Sequence, residues 1–270
     1  MSPDQQKTKT EALRALHHNN ILILPNAWDV ASARIIQQAG ASAVATTSAG
    51  IAFTLGYPDG QRISREEMLA VVARIAKAVK LPVTADVEAG YGARPEDAAR
   101  TARDVLTAGA VGMNLEDGTG DPQRPLLELA LQVERVHAVR ELPIVLNART
   151  DVYLLEVGPP EKRYHEALRR LAAFRDAGAD CVFVPGLHDA ATIGRLVKDL
   201  QCPVNILAGP GSPSIPELQK LGVARVSIGS AAMRATLGLV RQIAAELKSA
   251  GTYTTLEGGI PFADVNRMME

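Results

Sequence analysis

Four stretches, QQAGASAVATT (37–47), LTAGAVGMNLED (106–117), RDAGADCVFVPG (175–186) and QKLGVARVSIGS (219–230), repeat one phrase and decide the fold. In each, a helical segment ends in Gly, one or two small residues follow, and a short apolar run begins. Gly just past a helix end takes the left-handed conformation cheaply and lets the chain reverse into a strand. Between these copies lie apolar runs marked by Pro: ILILP (21–25), LPVTAD (81–86), LPIVLNA (142–148) and CPVNILA (202–208). Pro at the first residue of a strand removes no ladder bond that the strand needs. Together the two sets predict eight strands, near 21–25, 43–47, 82–86, 111–116, 143–148, 180–185, 203–207 and 225–229. They are nearly continuous apolar runs, as parallel strands covered by helices should be. The intervening segments have helical period: between Glu66 and Val79, residues Met68, Val71, Val72, Ile75 and Val79 share a stripe that Glu66, Arg74 and Lys77 avoid. Strand alternating with helix eight times predicts a closed (β/α)8 TIM-type barrel, an α/β fold. An open doubly wound sheet is the rival, and no GxGxxG follows a strand to support it.

No composition break marks a linker, so residues 1–270 read as a single barrel domain with a C-terminal helical tail. The hydrophobic fraction of 47% and charged fraction of 22% supply ample core. A net charge of −1 offers no long-range attraction for nucleic acid or an anionic membrane. The opening MSPDQQKTKT has no apolar signal segment and no run is long enough to span a bilayer, which predicts a cytoplasmic protein. Cys181 and Cys202, in or beside strand runs, read as buried free thiols of a reducing compartment.

In such a barrel the active site stands at the C-terminal ends of the strands. The third run ends in Asp86, followed by Val87 and Glu88; the fourth in Glu116–Asp117; the fifth in Asn147, Arg149 and Asp151. The seventh carries Asn205, and the loop after the second holds Ser48, Ala49, Gly50 and, further out, Asp59. Carboxylates crowded together repel unless a cation or proton neutralises them. Oxygen ligands without His or Cys suit Mg2+ or Mn2+ rather than Zn2+, so Asp86, Glu88 and Glu116 are the candidate metal residues. Asp117 reads instead as a helix cap. Arg149 is placed to fork a substrate carboxylate. The histidines carry less: His17 and His18 read as surface residues, His137 and His165 as solvated helix positions, and His188 as a loop residue on the correct face. AGPGSPS (208–214) reads as a Gly/Pro-rich turn.

The runs TSAGIAFTLGYPDG (47–60), ADVEAGYG (85–92), NLED (114–117) and NARTD (147–151), in this order over nearly the whole chain, resemble the isocitrate lyase/phosphoenolpyruvate mutase superfamily. The resemblance implies that Asp86 binds Mg2+ directly while Glu88, Glu116 and Asp59 hold metal-bound waters. It implies that Arg149 and the backbone amides around Ser48–Gly50 grip a small 2-oxo acid, with Asn205 at the same mouth. Asp59, Glu88 and Arg149 are thus the candidate catalytic residues. It also implies a homotetramer whose terminal helices exchange between neighbours, and the apolar residues of the tail at 250–270 are expected to contact another subunit.

One departure narrows the chemistry. The superfamily's lyases carry a lid motif K-[KR]-C-G-H whose Cys is the acid/base; here Glu116–Asp117 is followed by GTGDPQRPLLEL, without Cys, His or Lys. Isocitrate-type cleavage is therefore not expected. The expected activity is Mg2+-dependent C–C cleavage of a small 2-oxo acid, by decarboxylation or retro-aldol reaction through a metal-stabilised enolate. A phosphonopyruvate-type mutase or hydrolase and a non-catalytic 2-oxo acid binder are the alternatives.

Overall fold

A computed structural model describes residues 1–270. The strands are β1 (Leu22–Leu24), β2 (Asn26–Ala27), β3 (Val44–Thr46), β4 (Val83–Asp86), β5 (Gly112–Glu116), β6 (Val145–Arg149), β7 (Cys181–Phe183), β8 (Val204–Leu207) and β9 (Arg225–Ser227). All pair in parallel, in the order β1-β9-β8-β7-β6-β5-β4-β3-β2. The first and last of that series are consecutive in the chain, separated by Pro25 alone. Pro has no N–H to give a ladder, and the chain changes partner there: β1 pairs with β9 and β2 with β3. The sheet therefore closes as an eight-stranded barrel whose first strand is broken in two, where the sequence suggested one run over 21–25. Asn26 fastens the closure: its Nδ2 donates to the Thr46 carbonyl at 2.7 Å, and its Oδ1 accepts from the Ile228 and Gly229 amides, both at 2.9 Å.

The helices are α1 (Pro3–Leu16), α2 (Val30–Gln38), α3 (Ser48–Thr54), α4 (Arg65–Ala78), α5 (Pro95–Thr107), α6 (Leu129–Arg140), α7 (Pro160–Asp176), α8 (Ala190–Leu200), α9 (Ile215–Lys220), α10 (Ala231–Ser249) and α11 (Phe262–Met269). The four glycines of the repeated phrase, Gly40, Gly109, Gly178 and Gly222, all have φ between 82° and 99°, so each ends its helix as the pattern required. The α4 stripe is buried through Met68, Val72 and Ile75. A core of 40 buried residues fills the space between helices and barrel wall. A second, seven-residue cluster lies lower: Leu13 of α1 packs with Leu22, Leu24, Ala43, Ala45, Val111 and Val145. α1 thereby plugs the end of the barrel opposite the expected site.

That plug corrects one expectation. His17, read as a surface residue, is buried at the C-terminus of α1, with Nδ1 2.9 Å from the Leu13 carbonyl oxygen. Burial first, then the Arg225 charge, push its pKa down to about 4. His18, His137, His165 and His188 are exposed, and Nδ1 of His188 lies 3.0 Å from Ser212 Oγ in the Gly/Pro-rich turn. Cys181 is buried but Cys202 only half-buried, and both are free thiols. No helix is long and apolar enough to cross a membrane.

Candidate active site

The strand register explains how distant residues meet. Parallel strands keep residues on one face at a period of two, and Asp86 pairs in register with Asn114, Asn114 with Asn147, and Glu116 with Arg149. Asp86 is gripped on both oxygens. Its Oδ2 accepts from the Ser48 amide at 3.1 Å and the Ser48 hydroxyl at 2.9 Å, and its Oδ1 accepts from Asn114 Nδ2 at 3.2 Å. Asn114 Oδ1 in turn accepts from Asn147 Nδ2 at 2.7 Å. Ser48 sits there because Thr47 caps α3, its hydroxyl accepting from the Gly50 amide at 3.3 Å. A Cβ on Gly50 would lie 2.9 Å from the Trp28 Cβ, so this helix start tolerates no side chain. With the Ser48 amide on Asp86 and the Gly50 amide on Thr47, the Ala49 amide is left facing no protein acceptor.

Glu88 stands two residues beyond Asp86 with φ +52°, and its Oε2 accepts from the Gln61 amide at 2.6 Å. Burial, followed by repulsion from Asp59 and Asp86, pushes its pKa up to about 7. Glu116 is held well above the carboxylate range, mainly by burial and further by Asp151 and Asp86, although Arg149 opposes this. Asp59 lies on an exposed loop, yet its carboxyl reaches the same field: burial of that group and the Asp86 charge raise its pKa. Three carboxyls around Asp86 thus hold protons too tightly. Burial is the leading cause at each, and carboxylate repulsion, which a cation would relieve, adds to it.

Arg149 answers part of this charge. Its Nη1 lies 2.8 Å from Glu116 Oε2, its Nε donates to Asp151 Oδ1 at 2.6 Å, and its guanidinium sits 5.6 Å from the centre of the Phe183 ring. Burial works to lower its pKa, but Glu116, Asp151 and Asp86 outweigh it and raise the value. Asp117, expected to cap a helix, does something else. It is fully buried, accepts from Thr150 Oγ1 at 2.7 Å and the Asp151 amide at 3.0 Å, and pairs with Arg170 Nη1 at 3.1 Å. It therefore locks the turn that presents Asp151 to Arg149, and burial raises its own pKa to about 6. The start of α6 is at Glu128–Leu129, too far along the chain for Asp117 to cap.

Asp59, Asp86, Glu88, Glu116 and Arg149 are gathered into one electrostatic field, with Ser48 bonded to Asp86. Asn205 stands in register with Phe183, and so on the same ring of the barrel as Arg149 and Glu116; it is buried, its Nδ2 3.3 Å from Ser227 Oγ. Sequence reasoning placed Asp151 at the same rim as Arg149 but passed over Asn114 and Gln61 as partners of these groups. Asn114 was recoverable, since stepping back two residues from Glu116 on a strand reaches it. Gln61 carried no signal: its amide serves Glu88 and its Oε1 accepts from the Tyr91 amide at 2.8 Å, across a loop separation that no pattern encodes.

No three acidic, His or Cys side chains are drawn close enough to cage a metal ion by themselves. The donor chemistry around Asp86 still suits a hard cation. The site is all oxygen, and its raised carboxyl pKa values call for positive charge.

The pKa shifts have a consequence for stability. Glu88 rises from 4.5 to about 7 on folding, so the folded protein keeps a proton that the unfolded chain releases. Stability of the metal-free protein must then fall as pH rises through that interval. His17, lowered from 6.5 to about 4, acts oppositely below its ordinary value, which leaves roughly pH 6.5 to 8 as the clean window. Melting temperature in chelator should decline across this window, and Mg2+ should restore it at the upper end. A rise with pH in chelator would contradict the assignment.

A family description, phosphoenolpyruvate phosphomutase, matches residues 13–248. The chain belongs to this family. Among relatives, the 2-methylisocitrate lyase of Salmonella typhimurium (strain LT2) is 28% identical over 88% of this chain and 84% of its own length. A solved structure from Burkholderia cenocepacia J2315, described broadly as a lyase/mutase, is 41% identical with a TM-score of 0.92, covering 98% of this chain and 96% of that one. The structure of an oxaloacetate acetylhydrolase with the product oxalate is 25% identical with a TM-score of 0.85, covering 97% and 94%. Membership of the superfamily and the TIM-type barrel are thereby shown, as the sequence motifs implied.

Proposed function

We propose that this phosphomutase-family protein is a Mg2+-dependent (or Mn2+-dependent) lyase that breaks a C–C bond of a small 2-oxo dicarboxylate, oxaloacetate or a substituted relative. The observation that carries the reading is the cluster of proton-retaining carboxyls around Asp86, faced by Arg149. A bound Mg2+ would supply a Lewis acid for the 2-oxo carbonyl. Asp86 would hold it directly, and Glu88, Glu116 and Asp59 through water. Nη2 of Arg149, the guanidinium nitrogen taken by neither Asp151 nor Glu116, binds a substrate carboxylate, while the Ala49 amide at the start of α3 donates to the same anion. Decarboxylation then breaks the C3–C4 bond, CO2 leaves, the electron pair remains on the enolate of pyruvate, and a proton is added at C3.

The source of that proton separates this activity from isocitrate-type cleavage. The segment after β5 is a short hairpin, with Gly118 bridged to Leu126 and the Thr119 amide donating to the Pro125 carbonyl at 3.0 Å. Its one acid in the turn, Asp121, pairs with the exposed Arg124 at 3.5 Å. No lid side chain is therefore available to protonate a carbanion. An enolate needs less, because solvent can deliver its proton. The oxaloacetate acetylhydrolase solved with its product oxalate lends support, since a protein of the same fold is named for action on oxaloacetate. A steady-state assay for loss of oxaloacetate, with phosphonopyruvate in parallel, tests the proposal against the mutase and hydrolase alternative.

We further propose a cytoplasmic homo-oligomer, with a tetramer expected from the family. Only Met233 of the 19 residues of α10 is buried, and Leu237, Leu239, Val240 and Leu247 lie exposed along it. Ile23, the outward residue of β1, is itself 48% exposed where a barrel strand should be covered. A neighbour's terminal helix would cover such surfaces, and the tail is as bare, with Tyr253, Leu256, Ile260 and Phe262 all exposed. Light scattering at micromolar concentration should give a multiple of the 28.7 kDa chain mass. A monomeric mass there would rule the assembly out.

A further inference from the structure

The loop that carries Glu88 keeps a backbone that most residues avoid. Glu88 and Tyr91 have φ +52° and +56°, and Gly90 and Gly92 have +80° and +156°. Left-handed φ is unfavourable at a non-Gly residue, so the surroundings must impose it. They do so from behind, through α5 and α6. Arg135 of α6 is fully buried; its Nη2 donates to the Ala89 carbonyl and, at 3.1 Å, to the Gly92 carbonyl. Its Nη1 donates to Gln132 Oε1 at 2.6 Å, one turn back on the same helix. Thr101 of α5, also fully buried, donates its hydroxyl to the Gly90 carbonyl at 2.8 Å. Carbonyls of three of the four residues Ala89–Gly92 thus end on buried donors. Rotating any of those peptide planes would strand a donor in the core, and stranding a charged one is especially costly.

The placement of this cation is unusual for a helix. α6 turns Gln132 and Arg135 inward beside Val136 and Val139, although a core-facing position ordinarily takes an apolar residue. Arg135 makes no ion pair at contact distance. The charges that act on it are those of Asp117, Glu116 and Asp97, while burial lowers its pKa to about 10, which leaves it charged at neutral pH. A buried charge whose Nη2 is spent on loop carbonyls rather than on a carboxylate, with Nε left unpartnered, is poorly explained by helix packing alone.

We propose that Arg135, seconded by Thr101, is the positioning residue of the acidic loop: it fixes Ala89–Gly92 so that the Glu88 carboxyl stays directed at Asp86 and Asp59. Arg135 touches neither substrate nor cation and acts only through the loop backbone. The inference rests on the cation reading above, so its test carries one readout that does not depend on it. Wild type, Arg135→Lys, Arg135→Met and Thr101→Val are compared where circular dichroism shows each to be folded. Mn2+ affinity is read by electron paramagnetic resonance, and amide hydrogen exchange is read at Gly90 and Tyr91. Arg135→Met should bind Mn2+ about tenfold or more weakly, the range usual for outer partners of metal ligands, and should exchange faster at both amides. Arg135→Lys, with one donor group in place of a fork, should fall between it and wild type, and Thr101→Val should lose less. A folded Arg135→Met with wild-type affinity and unchanged exchange overturns the proposal. If that variant does not fold, the same result in both Arg135→Lys and Thr101→Val overturns it. Absence of Mn2+ binding by the wild type would defeat the cation reading instead, and the exchange rates would still decide the clamp.

Discussion

Asp86→Ala should abolish detectable turnover and weaken Mg2+ binding beyond the roughly 10- to 100-fold typical of losing an outer partner, because it removes the proposed direct ligand. The variant should remain folded. Deleting the carboxylate leaves the Ser48 hydroxyl and amide and Asn114 Nδ2 without their acceptor, at a cost of about 1–3 kcal/mol for a buried unsatisfied group. Against this, Asp86 raises the pKa of Asp59, Glu88 and Glu116, so its removal relieves repulsion at three places. The two effects oppose, and the 40-residue core is not touched. The melting temperature in chelator near pH 8 should therefore change little or rise. Calorimetric titration with Mg2+ reads the first effect and thermal melting the second. Unchanged Mg2+ affinity in a folded Asp86→Ala would show that the ion, if bound, sits elsewhere.

Arg149→Lys should raise KM for the 2-oxo acid much more than it lowers kcat. Arginine here serves several acceptors at once: Nε is committed to Asp151, Nη1 is against Glu116, and Nη2 is the nitrogen left for substrate. Lysine keeps the charge but has one donor centre, which the two protein carboxylates would take first. Losing a charge-assisted hydrogen bond is worth about 1.5–3 kcal/mol, or roughly ten- to hundredfold in affinity. Contact with the Phe183 face would go as well. A KM within twofold of wild type would show that Arg149 organises Glu116 and Asp151 and does not bind substrate.

The barrel was legible in the sequence for a physical reason. Parallel strands buried on both faces must be apolar without interruption, and helices returning to them must end in a residue that tolerates positive φ, as Gly40, Gly109, Gly178 and Gly222 do. The polar residue closing each run then marks the catalytic rim, which is how Asp86, Glu116 and Arg149 could be read. What escaped depends on tertiary packing. His17 follows a polar helix and looks exposed, but α1 is a plug whose inner face, Thr10 and Leu13, continues into His17. Asp117 looks like a cap, but the hairpin after β5 carries the chain away before α6 begins. The break at Pro25 and the change of ladder partner follow from barrel closure, which no local pattern reports. Capping was legible and overlooked: Ser2 with Gln5, Ser64 with Glu67 and Ser214 with Glu217 are capping boxes, and they start α1, α4 and α9.

Pyruvate formation is to be followed with the purified protein, Mg2+ and oxaloacetate, and with 2-methylisocitrate in a parallel reaction. Pyruvate should form from oxaloacetate only with Mg2+ and stop with chelator, and none should form from 2-methylisocitrate, since the hairpin at Gly118–Leu126 supplies no acid to protonate the departing carbanion. Robust cleavage of 2-methylisocitrate would contradict that expectation by revealing such a donor, and oxaloacetate consumed equally with and without chelator would contradict the role assigned to the carboxylates around Asp86.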